Sequence, residues 1–451
     1  MTKITVYIPS HDYGRYLEQA VESVLRQSVG DWELLLFDDG STDNTAEVMQ
    51  LYRGDPRIRL FSTPGIGLAA VANRALQEAR GEYIIRLDAD DIFDENILLV
   101  LGHHLDQHPD DALVFPDYYL FDEHGEVFAQ ERKEKVYWNQ RLLGLPPNGA
   151  CTMVRVTALK EIGGYREGIG AQDGFDIWTR LGRKYRTANV NIPLFYYRRH
   201  DRNLTGDTAR ILAARRQIKA QAMAEEWNKH RPITAVIPCR RNYDYVTDVW
   251  SERIADKSLL TRAIECCAAS PLFDHIVVTS DNPAARETMA AFPDSRLRFV
   301  ERPSEETIRS QSLVPTLQRI ATELELGEES LLLLSYVQAP FTRTATLEEA
   351  LATLVLNEAD STMAVFEVSG SLFRRSVQGL EPINRRGLLS SEYDVIYCEA
   401  NIAITLRARN LRSGQFLGTR ITHFEIAHDE VLFIDGEQKL EIARILARQK
   451  A

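Results

Sequence analysis

Short runs of β-branched and aliphatic residues alternate with amphipathic stretches along almost the whole chain, and no other feature limits the available folds so severely. A strand buried on both faces reads as a near-continuous apolar run, whereas a covering helix shows a stripe of period 3.6. The alternation therefore predicts an α/β chain, with parallel sheets clothed by helices. Residues 4–8 read as the first strand. Leu17, Ala20, Val21, Val24 and Leu25 then fall at i, i+3, i+4, i+7 and i+8 on one helical face. Further strands are expected at 34–37 and 83–87, with a helix over 68–79 between them.

The run 208–229, rich in Ala, Arg, Gln and Glu and free of Gly and Pro, predicts a connecting helix. Beyond Arg231-Pro232, Ile233-Thr234-Ala235-Val236-Ile237-Pro238 restates the opening Ile4-Thr5-Val6-Tyr7-Ile8-Pro9. The interval is far too long for a solenoid period but suits two tandem Rossmann-like nucleotide-binding units. Strands at 275–280, 331–335, 361–368 and 402–406 and a closing helix at 437–449 complete the second. The expected division is 1–206, a connector at 207–230, and 231–451.

An excess of 65 acidic over 53 basic residues, net charge -12, opposes a sequence-independent grip on a phosphate backbone and excludes nucleic acid as the main partner. The five cysteines are scattered, with no metal-like spacing, which fits a reducing cytoplasm. Pro9 interrupts any leader-like apolar run, and no stretch approaches the ~20 apolar residues of a membrane span. The expected location is cytoplasmic, with peripheral association at the inner face of a membrane compatible with it.

Leu87-Asp88-Ala89-Asp90-Asp91 follows an apolar strand, where open α/β sheets bind ligands. Asp88 and Asp90, at i and i+2 of an extended segment, can share a divalent cation with a diphosphate, because hard oxygen ligands suit Mg²⁺ or Mn²⁺. An acidic turn capping the next helix is the competing explanation. A second cluster, Phe37-Asp38-Asp39-Gly40-Ser41-Thr42-Asp43, also ends an apolar strand. Helix capping accounts for Ser41, Thr42 or Asp43 but leaves Asp38 and Asp39 over, and a carboxylate there can accept the imino hydrogen of a pyrimidine base.

These clusters, together with Ile8-Pro9-Ser10-His11-Asp12-Tyr13, Ala72-Asn73-Arg74, Gln172-Asp173-Gly174-Phe175-Asp176-Ile177-Trp178 and Tyr196-Tyr197-Arg198-Arg199-His200, resemble the family-two inverting glycosyltransferases of GT-A fold over about residues 3–206. The resemblance implies that Pro9, Asp39, Asn73 and Asp88 bind a nucleotide sugar, UDP-linked foremost, and that Asp90 and His200 hold Mn²⁺ or Mg²⁺. It makes Asp173 the general base toward a hydroxyl of a surface glycan, glycolipid or glycoprotein precursor. Inversion needs one carboxylate to take the acceptor proton while a metal stabilises the departing diphosphate. Ala72 stands where many relatives carry arginine, and Gln172 where an acidic residue often precedes the base. Considered singly, Asp173 is also a good helix N-cap and His200 a surface histidine. On the acceptor side, Tyr118, Tyr119, Tyr137, Trp138 and the segment 144–149 are candidates for an aromatic sugar platform, against the plainer reading of core aromatics.

In the second unit, Ile237-Pro238-Cys239-Arg240, Lys257-Ser258-Leu259-Leu260, the stretch from Phe273 to Asp281, Ala359-Asp360-Ser361-Thr362 and Phe433-Ile434-Asp435 resemble the cytidylyltransferases that make CMP-activated acidic sugars. Those enzymes place a Gly-, Ser- and Lys-rich loop on the CTP phosphates. Here the loop is Arg241-Asn242-Tyr243-Asp244-Tyr245-Val246, and the family's Asp-x-Asp pair has become Phe433-Ile434-Asp435. The expectation is a nucleotidyltransferase-like fold that has lost or altered nucleotidyl transfer and serves in structure, regulation or homo-oligomerisation, with Arg240, Lys257, Asp281 and Asp435 lining its pocket. The alternative is a bifunctional enzyme that also makes a CMP-sugar. A non-catalytic nucleotide-sugar-binding scaffold is the reading from a different class.

Overall fold

A computed structural model describes residues 2–132, 149–200, 208–224, 226–307, 311–368, 372–377, 379–383 and 396–449. Tyr137, Trp138 and 144–148 of the expected sugar platform lie outside them. The chain divides into two compact units, Met1–Ile218 and Lys219–Ala451.

In the first unit, β1 (Ile4–Ser10), β2 (Trp32–Asp39), β3 (Ile58–Thr63) and β4 (Tyr83–Arg86) form the parallel half of one sheet in the order 3-2-1-4. Their register pairs Pro9 with Phe37 and Ser10 with Asp38, so the polar residues after β1 and β2 emerge side by side. The sheet continues through β8 (Met153–Arg155), β6 (Asp111–Phe121), β9 (Arg186–Arg198) and β5 (Ile92–Phe93), with β7 (Val127–Glu131) on β6. β8 runs antiparallel to β4 and to β6. The sheet is therefore mixed: the expected parallel pairing holds for the first four strands and returns between β6 and β9, with antiparallel pairs at β8 and β5.

The alternation of side chains along β1 and β2 sorts the core onto two faces. Ile4, Val6, Ile8, Leu34 and Leu36 pack with α1 (Gly14–Leu25), α2 (Thr45–Gln50) and α4 (Ile97–Gln107). Tyr7, Leu35 and Phe37 pack with α3 (Leu68–Glu78), α5 (Val156–Glu161) and α6 (Asp173–Leu181). The stripe read from the sequence is the buried face of α1: Leu17, Ala20, Val21 and Val24 are solvent-free. The connecting helix α7 spans Thr208–Met223, shorter than 208–229. Its end is marked by i−3 hydrogen bonds, Ala224 N to Gln221 O and Glu226 N to Met223 O, and Trp227–His230 is a 3₁₀ turn.

The second unit repeats the plan. Ile233–Pro238 lies between His275–Ser280 and Leu331–Ser335, all parallel, with Leu297–Glu301 outside them. Thus Ile4–Ser10 and Ile233–Pro238 occupy the same central place in two 3-2-1-4 sheets, which explains the sequence echo. Ile396–Arg407, longer than the expected 402–406, adds antiparallel to Leu331–Ser335, and Ser361–Val368 and Ile421–Glu425 follow. Glu437–Gln449 is the closing helix.

Candidate functional site

The loops leaving β1 and β2 are knitted by Asp12 and Asp43. Asp12 sits at φ 60 and its Oδ1 accepts from Thr42 N at 2.6 Å, while Asp43 Oδ2 accepts from Gly14 N at 2.8 Å. Asp38 turns inward and accepts from Ser41 N. Asp39 faces the other way, toward the chain after β3. Its Oδ1 accepts from Thr63 Oγ1 and Ile66 N and its Oδ2 from Gly67 N, each at 2.7 Å. Burial alone would raise the Asp39 pKa, but these hydrogen bonds outweigh it and hold the carboxyl below its usual range. Pro9, half-buried, ends β1 alongside this cradle.

At the end of β4 the chain supplies Arg86, Asp88, Asp90 and Asp91. Arg86 is buried, and its guanidinium stands between two carboxylates. Nε lies 2.9 Å from Asp88 Oδ1, an ion pair whose N–H is not aligned as a hydrogen bond, and Nη1 donates to Asp173 Oδ2. Asp173 is the first residue of α6, after Gln172 in the left-handed region, and no side chain caps that helix. The N-cap explanation of Asp173 therefore fails; its carboxylate goes to Arg86. Gly149 abuts this pair. A Cβ there would fall 2.8 Å from Arg86 Nη2 and 2.9 Å from Asp173 Oδ1, closer than carbon tolerates.

His200, at the far end of β9, presents Nε2 to Asp90 Oδ2 at 2.9 Å across 110 residues of sequence. Its side chain is fully buried, stacked on Tyr16 at 5.7 Å and tilted to Tyr13 at 5.9 Å, which excludes the surface-histidine reading. Asp91 is buried: Oδ1 accepts from Arg198 N at 3.0 Å, and Oδ2 has no hydrogen-bond partner among the described residues. Burial, then the charges of Asp90 and Asp88, push its carboxyl well above the usual range. Burial likewise drives Asp88 upward against the pull of Arg86 and with the push of Asp90 and Asp173, although 31% of its side chain still meets solvent.

A divalent cation fits this donor set. An unsatisfied, buried carboxylate oxygen at Asp91 marks a local excess of negative charge, and Asp90 with His200 offers hard oxygen beside imidazole, suited to Mn²⁺ or Mg²⁺ completed by substrate phosphates.

The structure thus brings Asp88, Asp90, Asp173 and His200 together, and Pro9 and Asp39 to the neighbouring strand ends. Asn73 is committed elsewhere: its amide donates to Tyr165 O at 2.9 Å and accepts from Tyr165 N at 2.8 Å, tying α3 to the loop before α6. Tyr118 and Tyr119 stack on Phe195 and Tyr196 within the sheet, as the core-aromatic reading expects. Arg86 and Tyr16 were not singled out from the sequence, and Gly149, expected as part of the sugar platform, instead abuts the Arg86–Asp173 pair. For Arg86 a signal existed, because a cation closing an apolar, doubly buried strand requires carboxylate partners.

In the second unit, Arg240 Nη1 donates to Thr307 O at 3.4 Å, and Asp281 accepts from Arg241 N and Thr307 Oγ1. Lys257 pairs with Glu265 and Asp435 with Lys439. The expected four-residue pocket is not drawn together by contacts: Arg240 and Asp281 share Thr307, while Lys257 and Asp435 are engaged locally. Phe433 sets its ring edge-on to Tyr336 at 6.2 Å.

Residues 5–163 match the glycosyl transferase family 2 model. The putative glycosyltransferase EpsE of Bacillus subtilis is 30% identical over 202 residues, 44% of this chain and 73% of that protein. Chondroitin synthase of Pasteurella multocida is 44% identical over 89 residues, 20% of this chain and only 9% of that much longer protein. Among solved structures, S. aureus TarS 1–349 in complex with UDP-GlcNAc aligns with a TM-score of 0.43 at 19% identity, covering 50% of this chain and 67% of that one. No described helix is long and apolar enough to cross a membrane. The family match and the coverage of EpsE make this chain a member of glycosyl transferase family 2, a glycosyltransferase.

Proposed function

We propose that the first unit is an inverting, metal-dependent transferase that moves a sugar from a nucleoside-diphosphate donor, UDP-linked foremost, to a hydroxyl of a surface polysaccharide, glycolipid or glycoprotein precursor. The observation that carries this reading is the convergence of β4, β9 and α6 on one set of charged groups, Arg86–Asp88–Asp173 beside Asp90–His200. Asp39 and Pro9 receive the base and ribose, and Asp88 the rest of the nucleotide. Asp90 and His200 hold Mn²⁺ or Mg²⁺, which when bound neutralises charge on the departing diphosphate. Asp173 takes the acceptor proton: Arg86 holds Oδ2, and Oδ1 faces the space that glycine at 149 keeps clear. A polysaccharide acceptor is in keeping with the name of the Pasteurella relative, chondroitin synthase. The place of work is the cytoplasm, at the inner face of the membrane where such precursors are built.

The test uses the full chain with a panel of UDP-, GDP- and dTDP-sugars, with and without Mn²⁺. Asp173→Asn is expected to lower donor turnover at least roughly 100-fold while nucleotide affinity stays within about threefold. Turnover at the wild-type rate would overturn the base assignment.

For the second unit we propose a divergent cytidylyltransferase-like fold with a structural, regulatory or dimerising role. The polar groups at its strand ends are spent within the unit: Asp281 and Arg240 both bind the segment at Thr307, and Tyr245 Oη donates to Ile434 O at 2.6 Å.

A further inference from the structure

At the opposite end of β4 from the carboxylates Asp88, Asp90 and Asp91, α4 ends and β6 begins. The sequence there is His104-Leu105-Asp106-Gln107-His108-Pro109-Asp110-Asp111. β4 begins at this end of the sheet, with Tyr83 paired to Arg155, and Arg155 Nε donates to Asp111 O at 2.9 Å. Asp88 follows the other end of the same strand.

We propose that His104, His108 and Asp111 form a second metal site, for an imidazole-preferring ion of the zinc class, held by one nitrogen of each ring and one Asp111 carboxylate oxygen. Among the described residues this is the place where three such ligand atoms lie within 4.8 Å of one another. The spacing has a simple origin: His104 lies in the last turn of α4 and His108 is the residue that caps it four positions on, and their rings stack at 4.3 Å and 20°. The turn into β6 then returns the chain, with Asp111 N donating to His108 O at 3.0 Å, so the carboxylate comes back to these rings.

The surrounding contacts set each ligand as a metal site requires. His108 Nδ1 is 2.8 Å from His104 O. A carbonyl only accepts, so Nδ1 carries the hydrogen and Nε2 the lone pair. Arg186 Nε takes Asp111 Oδ1 at 3.3 Å, which turns Oδ2 toward His104 Nε2 at 2.9 Å. These are the outer contacts that orient ligating imidazoles and carboxylates. The proton between His104 Nε2 and Asp111 Oδ2 occupies the position a cation would take. The last turn of α4 also presents the negative end of its helix dipole to this spot. Asp111 is buried and His108 exposed, giving an anchored base and an open entry for the ion, with a water completing a tetrahedron. A structural staple accounts for the His104–Asp111 contact and for the His108 Nδ1 bond to His104 O, but gives no part to the His108 Nε2 lone pair. Two imidazoles with one carboxylate suit Zn²⁺, Cu²⁺ or Ni²⁺ better than Mg²⁺, which separates this site from the oxygen-rich one at Asp90.

The test titrates Zn²⁺ into the metal-free full chain against a chromophoric chelator, in four forms: wild type, His108→Ala, Asp111→Asn and Asp90→Ala/His200→Ala. One Zn²⁺ is expected to bind the wild type and the Asp90→Ala/His200→Ala form alike. His108→Ala and Asp111→Asn are expected to weaken it roughly tenfold or more. Zn²⁺ is also expected to raise the unfolding temperature of the wild type but not of His108→Ala, whose exposed position leaves the fold intact. Zn²⁺ affinity unchanged in His108→Ala, or abolished in Asp90→Ala/His200→Ala, would overturn the proposal, as would no binding to the wild type.

Discussion

Replacing Arg86 by methionine removes the one guanidinium between Asp88 and Asp173 and leaves two carboxylates facing each other across its place. Deleting one partner of a fully buried ion pair costs about 3–5 kcal/mol. Here 31% of the Asp88 side chain and 21% of Asp173 still meet solvent, so screening reduces the loss to about 2–3 kcal/mol of unfolding free energy. The kinetic loss is larger than that figure suggests. Asp173 stands at the first turn of α6 with no other described side-chain partner for Oδ2, and a base displaced by about 1 Å loses roughly 100-fold in rate. The assay is turnover of whichever nucleotide sugar the full chain accepts, with chemical denaturation alongside. Arg86→Met is expected to drop kcat about 100-fold with a smaller rise in donor KM from the loosened Asp88. Arg86→Lys keeps a point charge but not the fork that spans both carboxylates, and should fall between. A methionine variant that unfolds 2–3 kcal/mol more easily yet turns over at the wild-type rate would show that the bridge serves folding alone.

Gly149→Ala sets a Cβ 2.8 Å from Arg86 Nη2 and 2.9 Å from Asp173 Oδ1; kcat should fall roughly 10- to 100-fold with nucleotide affinity unchanged, a split that steady-state kinetics and calorimetry together resolve. Asp39→Asn turns one carboxylate oxygen into an N–H₂ facing the backbone N–H of Ile66 or Gly67, which should cost about 1–3 kcal/mol in denaturant unfolding and raise donor KM. CTP with Mg²⁺ should give no heat on titration into the full chain beyond what the first unit contributes to any nucleotide, and a CTP signal abolished by Arg240→Ala would contradict the self-satisfied loop of the second unit.

Strand runs and helix stripes were legible because burial imposes them locally. Residues 275–280, 331–335 and 361–368 are the strands the pattern predicts, and Leu17, Ala20, Val21 and Val24 are the buried face of α1. The mixed half of each sheet was not legible, because antiparallel β8 and Ile396–Arg407 carry no periodicity that distinguishes their direction. Asp90 and His200 could be paired only through the family resemblance, since nothing local to either residue encodes a partner 110 positions away. Asn73 was placed by the same resemblance, and its amide bonds the backbone of Tyr165 at both ends, a contact that no local pattern announced. Arg86 was readable on physical grounds alone, as a cation ending a buried strand.

The two sheets share an order and an opening strand, and what separates them is how each spends the polar groups at its strand ends. After β1, β2 and β4 the first unit gathers Asp39, Asp88, Asp90 and Asp91, and the last keeps a buried carboxylate oxygen without a hydrogen-bond partner. Such an arrangement is costly in isolation and is relieved by a cation, so it makes sense as a site built around something it must bind. After Ile233–Pro238 the second unit closes its accounts internally: Asp281 accepts from Arg241 N and Thr307 Oγ1, Arg240 donates to Thr307 O, and Tyr245 is held between Gln338 and Ile434 O. Binding a triphosphate there would first break these bonds. The same backbone plan therefore supports transfer chemistry in one half and a self-contained strand edge in the other, and the difference follows from side-chain hydrogen bonding rather than from topology.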